Sequence, residues 1–129
     1  MIAVDTNVLV RFIVVDDVAQ AERVHALFET KPVFIGVTVI LETEWVLRKT
    51  YGFDSARIVD AMRRVAGQSL VSIENARQVA EALRCVEAGM DFADAMHLAL
   101  ANDVNGFATF DKALIRKAAA LGIPDVIEP

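Results

Sequence analysis

Met1-Ile2-Ala3-Val4-Asp5-Thr6-Asn7-Val8-Leu9-Val10 is the stretch on which the fold turns. Four apolar residues ended by an acid read as a short buried strand of a parallel sheet. Thr6-Asn7 then offers turn and N-cap chemistry for a short helix from Val8 to Val14. The alternation continues down the chain. Asp16-Asp17 can cap a helix in which Val18, Ala21, Val24 and Phe28 recur at helical spacing. Lys31-Pro32 stops it, and Val33-Phe34-Ile35-Gly36 makes a second strand. Thr38 can cap a third helix that runs to Tyr51 and closes at Gly52. Asp54 or Ser55 starts a fourth, ending at Ala66-Gly67. Ser69 to Ile73 is a third strand, Asn75 caps a fifth helix ending at Gly89, and a nearly all-apolar sixth covers Phe92 to Asp103. Gly106 to Thr109 is a fourth strand, Asp111 starts a last helix ending at Gly122-Ile123-Pro124, and Val126-Ile127 is a fifth strand. Strands alternating with helices predict an α/β fold on a mainly parallel sheet. With no repeat, low-complexity tract or linker, one domain over residues 1–129 is expected.

The composition narrows the chemistry. The 129 residues are 55% hydrophobic and 24% charged, enough for a sizeable core and too apolar for disorder. Lys plus Arg total 13 against 18 Asp plus Glu, a net charge of −5, which excludes binding nucleic acid through a broad basic surface. An acidic chain can still do so locally where bound cations offset its carboxylates. Cys85 stands alone, so neither an internal disulfide nor a thiolate zinc cluster is open to it, and it is expected as a small buried hydrophobe. The apolar run from Val8 to Val15 is broken by Arg11 and follows Asp5, unlike an export signal. No run reaches the ~20 apolar residues of a membrane span. A soluble cytoplasmic protein is expected.

The carboxylates fall in telling places. In open α/β sheets the ligand crevice lies beyond the carboxyl ends of the strands. Asp5 ends the first strand and Asp111 lies two residues past the fourth, although each also suits a plain N-cap. Glu42 lies in Val37-Thr38-Val39-Ile40-Leu41-Glu42-Thr43-Glu44-Trp45-Val46-Leu47, where apolar residues cover most of the helix. A buried carboxylate costs several kcal/mol unless it is paired or holds a cation. Glu44, about 200° further round, is expected to be the solvated one. Asp94 lies in the first turn of the apolar helix Phe92-Ala93-Asp94-Ala95-Met96-His97-Leu98, with Asp91 as its N-cap; the bland reading pairs Asp94 with a buried Arg. His97 reads better as a hydrogen-bonded core histidine than as a ligand, and His25 as a surface residue. Four carboxylates without coupled Cys or His suit Mg²⁺ or Mn²⁺, and hence phosphodiester hydrolysis. No Gly fits a Walker phosphate loop. A response-regulator acceptor site would need an acidic pair after the first strand, where only Asp5 stands, though Lys112 lies near the fourth.

Val4-Asp5-Thr6-Asn7-Val8-Leu9, then Glu42-x-x-Trp45-Val46-Leu47, then Asp91-Phe92-Ala93-Asp94-Ala95, then Thr109-Phe110-Asp111 together resemble PIN domains, and most closely the VapC toxins of prokaryotic toxin–antitoxin pairs. The resemblance covers essentially the whole chain. It implies a three-layer α/β fold, with a central sheet of about five mainly parallel strands flanked by helices. It implies a Mg²⁺-dependent endoribonuclease, in which Mn²⁺ can substitute, usually a homodimer and inhibited by a small VapB-like antitoxin. Asp5, Glu42, Asp94 and Asp111 match the family's acidic quartet. Thr6 and Asn7 match the polar residues after the first acid, Thr109 the hydroxyl before the last, and Asp91 an acid found in many members.

On that reading Asp5 and Asp94 bind metal directly, and Glu42 and Asp111 directly or through water. Asn7 and Thr109 hold carboxylates in position. Arg11, Arg48, Lys49 and Lys112, whose sequence neighbours are site residues, are the candidate RNA contacts. Two other readings stand beside it: a non-catalytic module that binds RNA or a partner, and a metal-dependent nuclease acting on DNA.

Overall fold

The computed structural model describes all 129 residues, which cluster into two compact units, Met1–Ala76 and Arg77–Pro129. Each follows the predicted alternation. The first unit runs β1 (Ile2–Ala3), α1 (Thr6–Ile13), α2 (Val18–Thr30), β2 (Val33–Ile35), α3 (Val37–Lys49), α4 (Ser55–Ala66), β3 (Val71–Ile73) and the start of α5 (Ala76–Glu87). The second continues with α5, then α6 (Phe92–Leu100), β4 (Phe107–Ala108), α7 (Lys112–Ala120) and β5 (Val126–Ile127).

All five strands pair in parallel, as a three-stranded sheet in the order β1-β2-β3 and a two-stranded one, β4-β5. The α/β class is as expected, while the hydrogen-bonded strands divide as three and two. The strands are only two or three residues long, so each ladder is short and its register rests on few pairs. Ile2 lies opposite Val33, Val33 opposite Val71, and Phe107 opposite Val126. Parallel strands require long crossovers, and α1 with α2, then α3 with α4, supply them in the first unit.

The helices of the first unit bury Leu9, Ile40, Leu47, Ile58 and Met62 together with the strand residues Val33 and Ile35. The second unit buries Leu83, Phe92 and Met96. Each such side chain contributes on the order of 1.5–3 kcal/mol through the apolar surface it withdraws from water. No helix is long and apolar enough to cross a membrane.

Two helix starts take an acid where a neutral residue was expected, a carboxylate being a strong acceptor for helix N–H groups. Asp5, not Thr6 or Asn7, caps α1, which therefore starts two residues earlier than predicted. Helix α3 begins at Gly36 without a cap from its own chain neighbourhood, so Thr38 does not serve. Instead Glu74, just beyond β3, reaches across to accept the N–H of Val37 at 2.9 Å. Asp17 and Asp54 cap α2 and α4 as expected. Asn75 takes a left-handed conformation (φ 50°), which Asn tolerates, at the turn before α5.

Replacing Glu74 with Ala should lower stability by about 1 kcal/mol through loss of the α3 cap. Glu74→Gln, which keeps an oxygen acceptor, should recover most of it. Thermal or urea melts of the two variants check this, and equal losses would deny the cap its role.

Candidate active site

In the first unit the site is built where β1 meets α1. Val4 still donates its N–H to Phe34 at 3.2 Å, so the sheet holds the backbone up to the residue before Asp5. Asp5 then turns the chain into the helix: its Oδ1 accepts the N–H of Val8 at 3.0 Å. That bond fixes one carboxylate oxygen and leaves the other unassigned. Thr6, buried in the first turn, donates its hydroxyl to Oε1 of Glu42 on α3. Helices α1 and α3 pack together, which brings these residues into register. Asp5, Thr6, Asn7, Thr38, Val39, Glu42 and Val46 line an open cleft of about 440 Å³.

The two glutamates of α3 exchange the places expected of them. Glu42 is exposed to the cleft, whereas Glu44 is 9% exposed. Glu44 meets the buried-charge requirement by pairing with Nε of Arg48 one turn on, at 2.8 Å, and Arg48 also donates to the Ser55 hydroxyl at 3.3 Å. The apolar residues around Glu42 in the sequence do not cover it because a cleft opens on that side of α3. Trp45, by contrast, is 58% exposed despite its size.

In the second unit the acids sit at helix starts. Asp91 caps α6, its Oδ2 accepting the N–H of Asp94 at 3.1 Å. Asp111 caps α7, its Oδ1 accepting the N–H of Leu114 at 3.1 Å. The Thr109 hydroxyl accepts the N–H of Asp111 at 3.0 Å, so it braces the last acid through the backbone. Partial burial pushes the Asp94 carboxyl above its ordinary range. The negative charges of Asp91 and Asp111 add to that rise, and His97 and Lys117 oppose it. Two acids and two cationic groups thus act on Asp94, the acids more strongly, and no Arg stands among them.

Other expectations are revised. His97 is exposed on α6 rather than a core residue. His25 is half-buried, its ring stacked on Phe12 at 4.6 Å, with Phe12 in turn on Phe28 at 4.3 Å. Cys85 is half-buried beside a largely apolar cavity, where burial raises its thiol pKa. Among the candidate RNA contacts, Arg48 is held by Glu44 and Ser55, and Arg11 donates to Gln20 and to the carbonyl of Asn7. Lys49 and Lys112 are exposed. Thr38, read as a cap, is instead a cleft residue, and Phe110, quoted only as part of a motif, projects into solvent.

The donor chemistry fits a hard cation. In each unit the side chains described above offer oxygen ligands, which Mg²⁺ and Mn²⁺ prefer. Neither unit holds three or more His, Cys, Asp or Glu side chains clustered as a ready-made cage. Mg²⁺ does not require one, since it keeps several of its waters and takes few carboxylates.

The model of the PIN domain family matches residues 2–120. A crystal structure of Mycobacterium tuberculosis VapC20, a toxin that cleaves the sarcin–ricin loop, is similar over 100% of this chain and 100% of its own. The identity is 22% and the TM-score 0.46. No curated protein matches the chain. The family match spans every motif from the acid after β1 to the cap of α7, and the chain belongs to the PIN domain family, the nuclease family its acidic pattern resembles.

Proposed function

We propose that this PIN-domain chain is a Mg²⁺-dependent endoribonuclease of the VapC type, the toxin of a type II toxin–antitoxin pair. The observation that carries the reading is the repeated strand–acid–helix junction. Asp5 after β1 and Asp111 after β4 each cap a helix through one carboxylate oxygen, within a family match that includes both. Asp5, Glu42, Asp94 and Asp111 then form one acidic quartet in a single PIN-like domain over residues 1–129. Asp5 and Asp94 bind the metal directly; Glu42 and Asp111 bind it directly or through water. Mn²⁺ substitutes for Mg²⁺.

A divalent cation held by these carboxylates would neutralise charge on the phosphate and lower the pKa of its water. The protein's part is orientation. The Thr6 hydroxyl holds one oxygen of Glu42, leaving the second to orient the attacking water. Thr109 steadies Asp111, Asp91 sets the first turn that carries Asp94, and Asn7 adds a polar group at the cleft. Lys49 and Lys112 are free to meet the RNA backbone, with Arg11 and Arg48 contributing only if they leave their present partners. The protein works in the cytoplasm as a homodimer. A small VapB-like antitoxin silences it, most simply by placing an Arg among the carboxylates.

RNA and DNA oligonucleotides incubated with the protein and Mn²⁺ test the activity directly, and cleavage of DNA alone would replace RNA as the substrate. Glu42→Gln should abolish RNA cleavage while the melting temperature holds. Glu44→Gln should do the reverse, keeping cleavage but losing about 1 kcal/mol of stability as the pair with Arg48 goes. Near-normal cleavage by Glu42→Gln would remove Glu42 from the site.

A second test reads stability alone. A raised Asp94 pKa means the folded state holds that proton more tightly than the unfolded one. Stability therefore falls as pH rises from the ordinary carboxylate value through the raised one. In metal-free buffer at neutral pH, Asp94→Asn should accordingly melt above the wild type, and the gap should close in acid. Mn²⁺ at 100-fold over its dissociation constant should stabilise the wild type by about 2.7 kcal/mol. An equal gain in a protein lacking both Asp5 and Asp94 would show the binding to be nonspecific.

A further inference from the structure

Phe110 is 75% exposed, more than any other large hydrophobic residue of the chain. It stands between Thr109 and Asp111, with Lys112 next. Its backbone is pinned on both sides. Thr109 donates its N–H to Ile127 at 2.9 Å, the Asp111 N–H is taken by the Thr109 hydroxyl, and Asp111 caps α7. These bonds hold the backbone of the junction on either side of Phe110, and the ring projects from it into solvent.

We propose that Phe110 is a stacking platform for an RNA base next to the scissile phosphate, an inference that rests on the ribonuclease reading above. Two observations favour a base over a protein surface. The residues flanking the ring are a hydroxyl, a carboxylate and an ammonium, whereas the cores of protein interfaces are depleted of charge. Single-stranded RNA sites, in contrast, combine exposed aromatics with nearby cations. The second observation is the net charge of −5, which denies the chain the general Coulombic attraction most RNA-binding proteins use. Stacking is insensitive to salt and needs no positive surface. Phe110 is the chain neighbour of Asp111, about 3.8 Å away at Cα, so a base stacked on its ring belongs to the same short stretch of RNA as a phosphate held at Asp111. Phe110 thereby positions the substrate without taking part in the chemistry.

The test uses the full chain with Mn²⁺ and a short, mixed-sequence, single-stranded RNA. Phe110→Ala should raise KM roughly tenfold, a typical loss for one stacked base, while changing kcat less than about twofold. Its KM defect should persist undiminished as salt is raised. Phe110→Trp should keep a near-normal KM. In that variant with Trp45→Phe, the indole at position 110 is the single tryptophan, and RNA should quench its fluorescence. Val104→Ala, which trims another exposed apolar side chain of the same unit, should leave KM unchanged.

Wild-type cleavage with an unaltered KM in Phe110→Ala would overturn the platform and leave the ribonuclease reading intact. Loss of the oligomer in Phe110→Ala, with RNA kinetics unchanged, would assign the ring to a protein contact and also overturn it. Failure of the wild type to bind or cut any RNA would defeat both readings together.

Discussion

A carboxylate that caps a helix cannot turn freely, and much of this protein's chemistry hangs on that constraint. Asp5, Asp91 and Asp111 each give one oxygen to the N–H of the residue three positions on. The bond fixes the side chain's rotamer and satisfies an N–H that the helix start would otherwise leave without a partner. A cap thus does two things at once. It starts a helix, and it presents a second carboxylate oxygen in a fixed direction. Capping leaves room for a further role at these positions, because each acid has two oxygens to assign.

The acids that are not caps are governed by their surroundings instead. Glu42 is held by Thr6 across α1 and α3, in an open cleft. Asp94 is partly buried with acids for company, and its proton is held more tightly as a result. Glu44 shows the contrasting solution: removed from water, it closes an ion pair with Arg48 within one turn. A lone buried charge would be far more costly than the pair.

Short strands account for the economy of the design. Strands of two or three residues can anchor little by themselves, yet they need only deliver an acid to the start of a helix. The ladder from Ile2 to Val4 suffices for Asp5, and Thr109, bonded to Ile127, does the same for Asp111. The same junction that braces Asp111 carries Phe110, whose ring projects into solvent. A braced acid and an exposed aromatic thus stand side by side at the start of α7.

The sequence by itself determined the order of strands and helices, the α/β class and the positions of the acids. Those features are written in local patterns: apolar runs ended by Asp, helical spacing, and Pro or Gly at the stops. It also pointed to oxygen ligands for a hard cation, because the residue types alone decide that preference. Which glutamate of α3 faces water lay outside it. Apolar neighbours in the chain suggested burial of Glu42, but exposure depends on which helix packs against which side, and a cleft opens where Glu42 stands. The cap of α3 was equally hidden, since Glu74 lies 37 residues from Val37 and meets it only after β2 and β3 pair. His25 on Phe12, and the engagement of Arg48 by Glu44 and Ser55, follow the same rule. Periodicity and capping are short-range and legible in one dimension; burial and long-range pairing belong to the packed structure, because only packing decides what displaces water from each side chain.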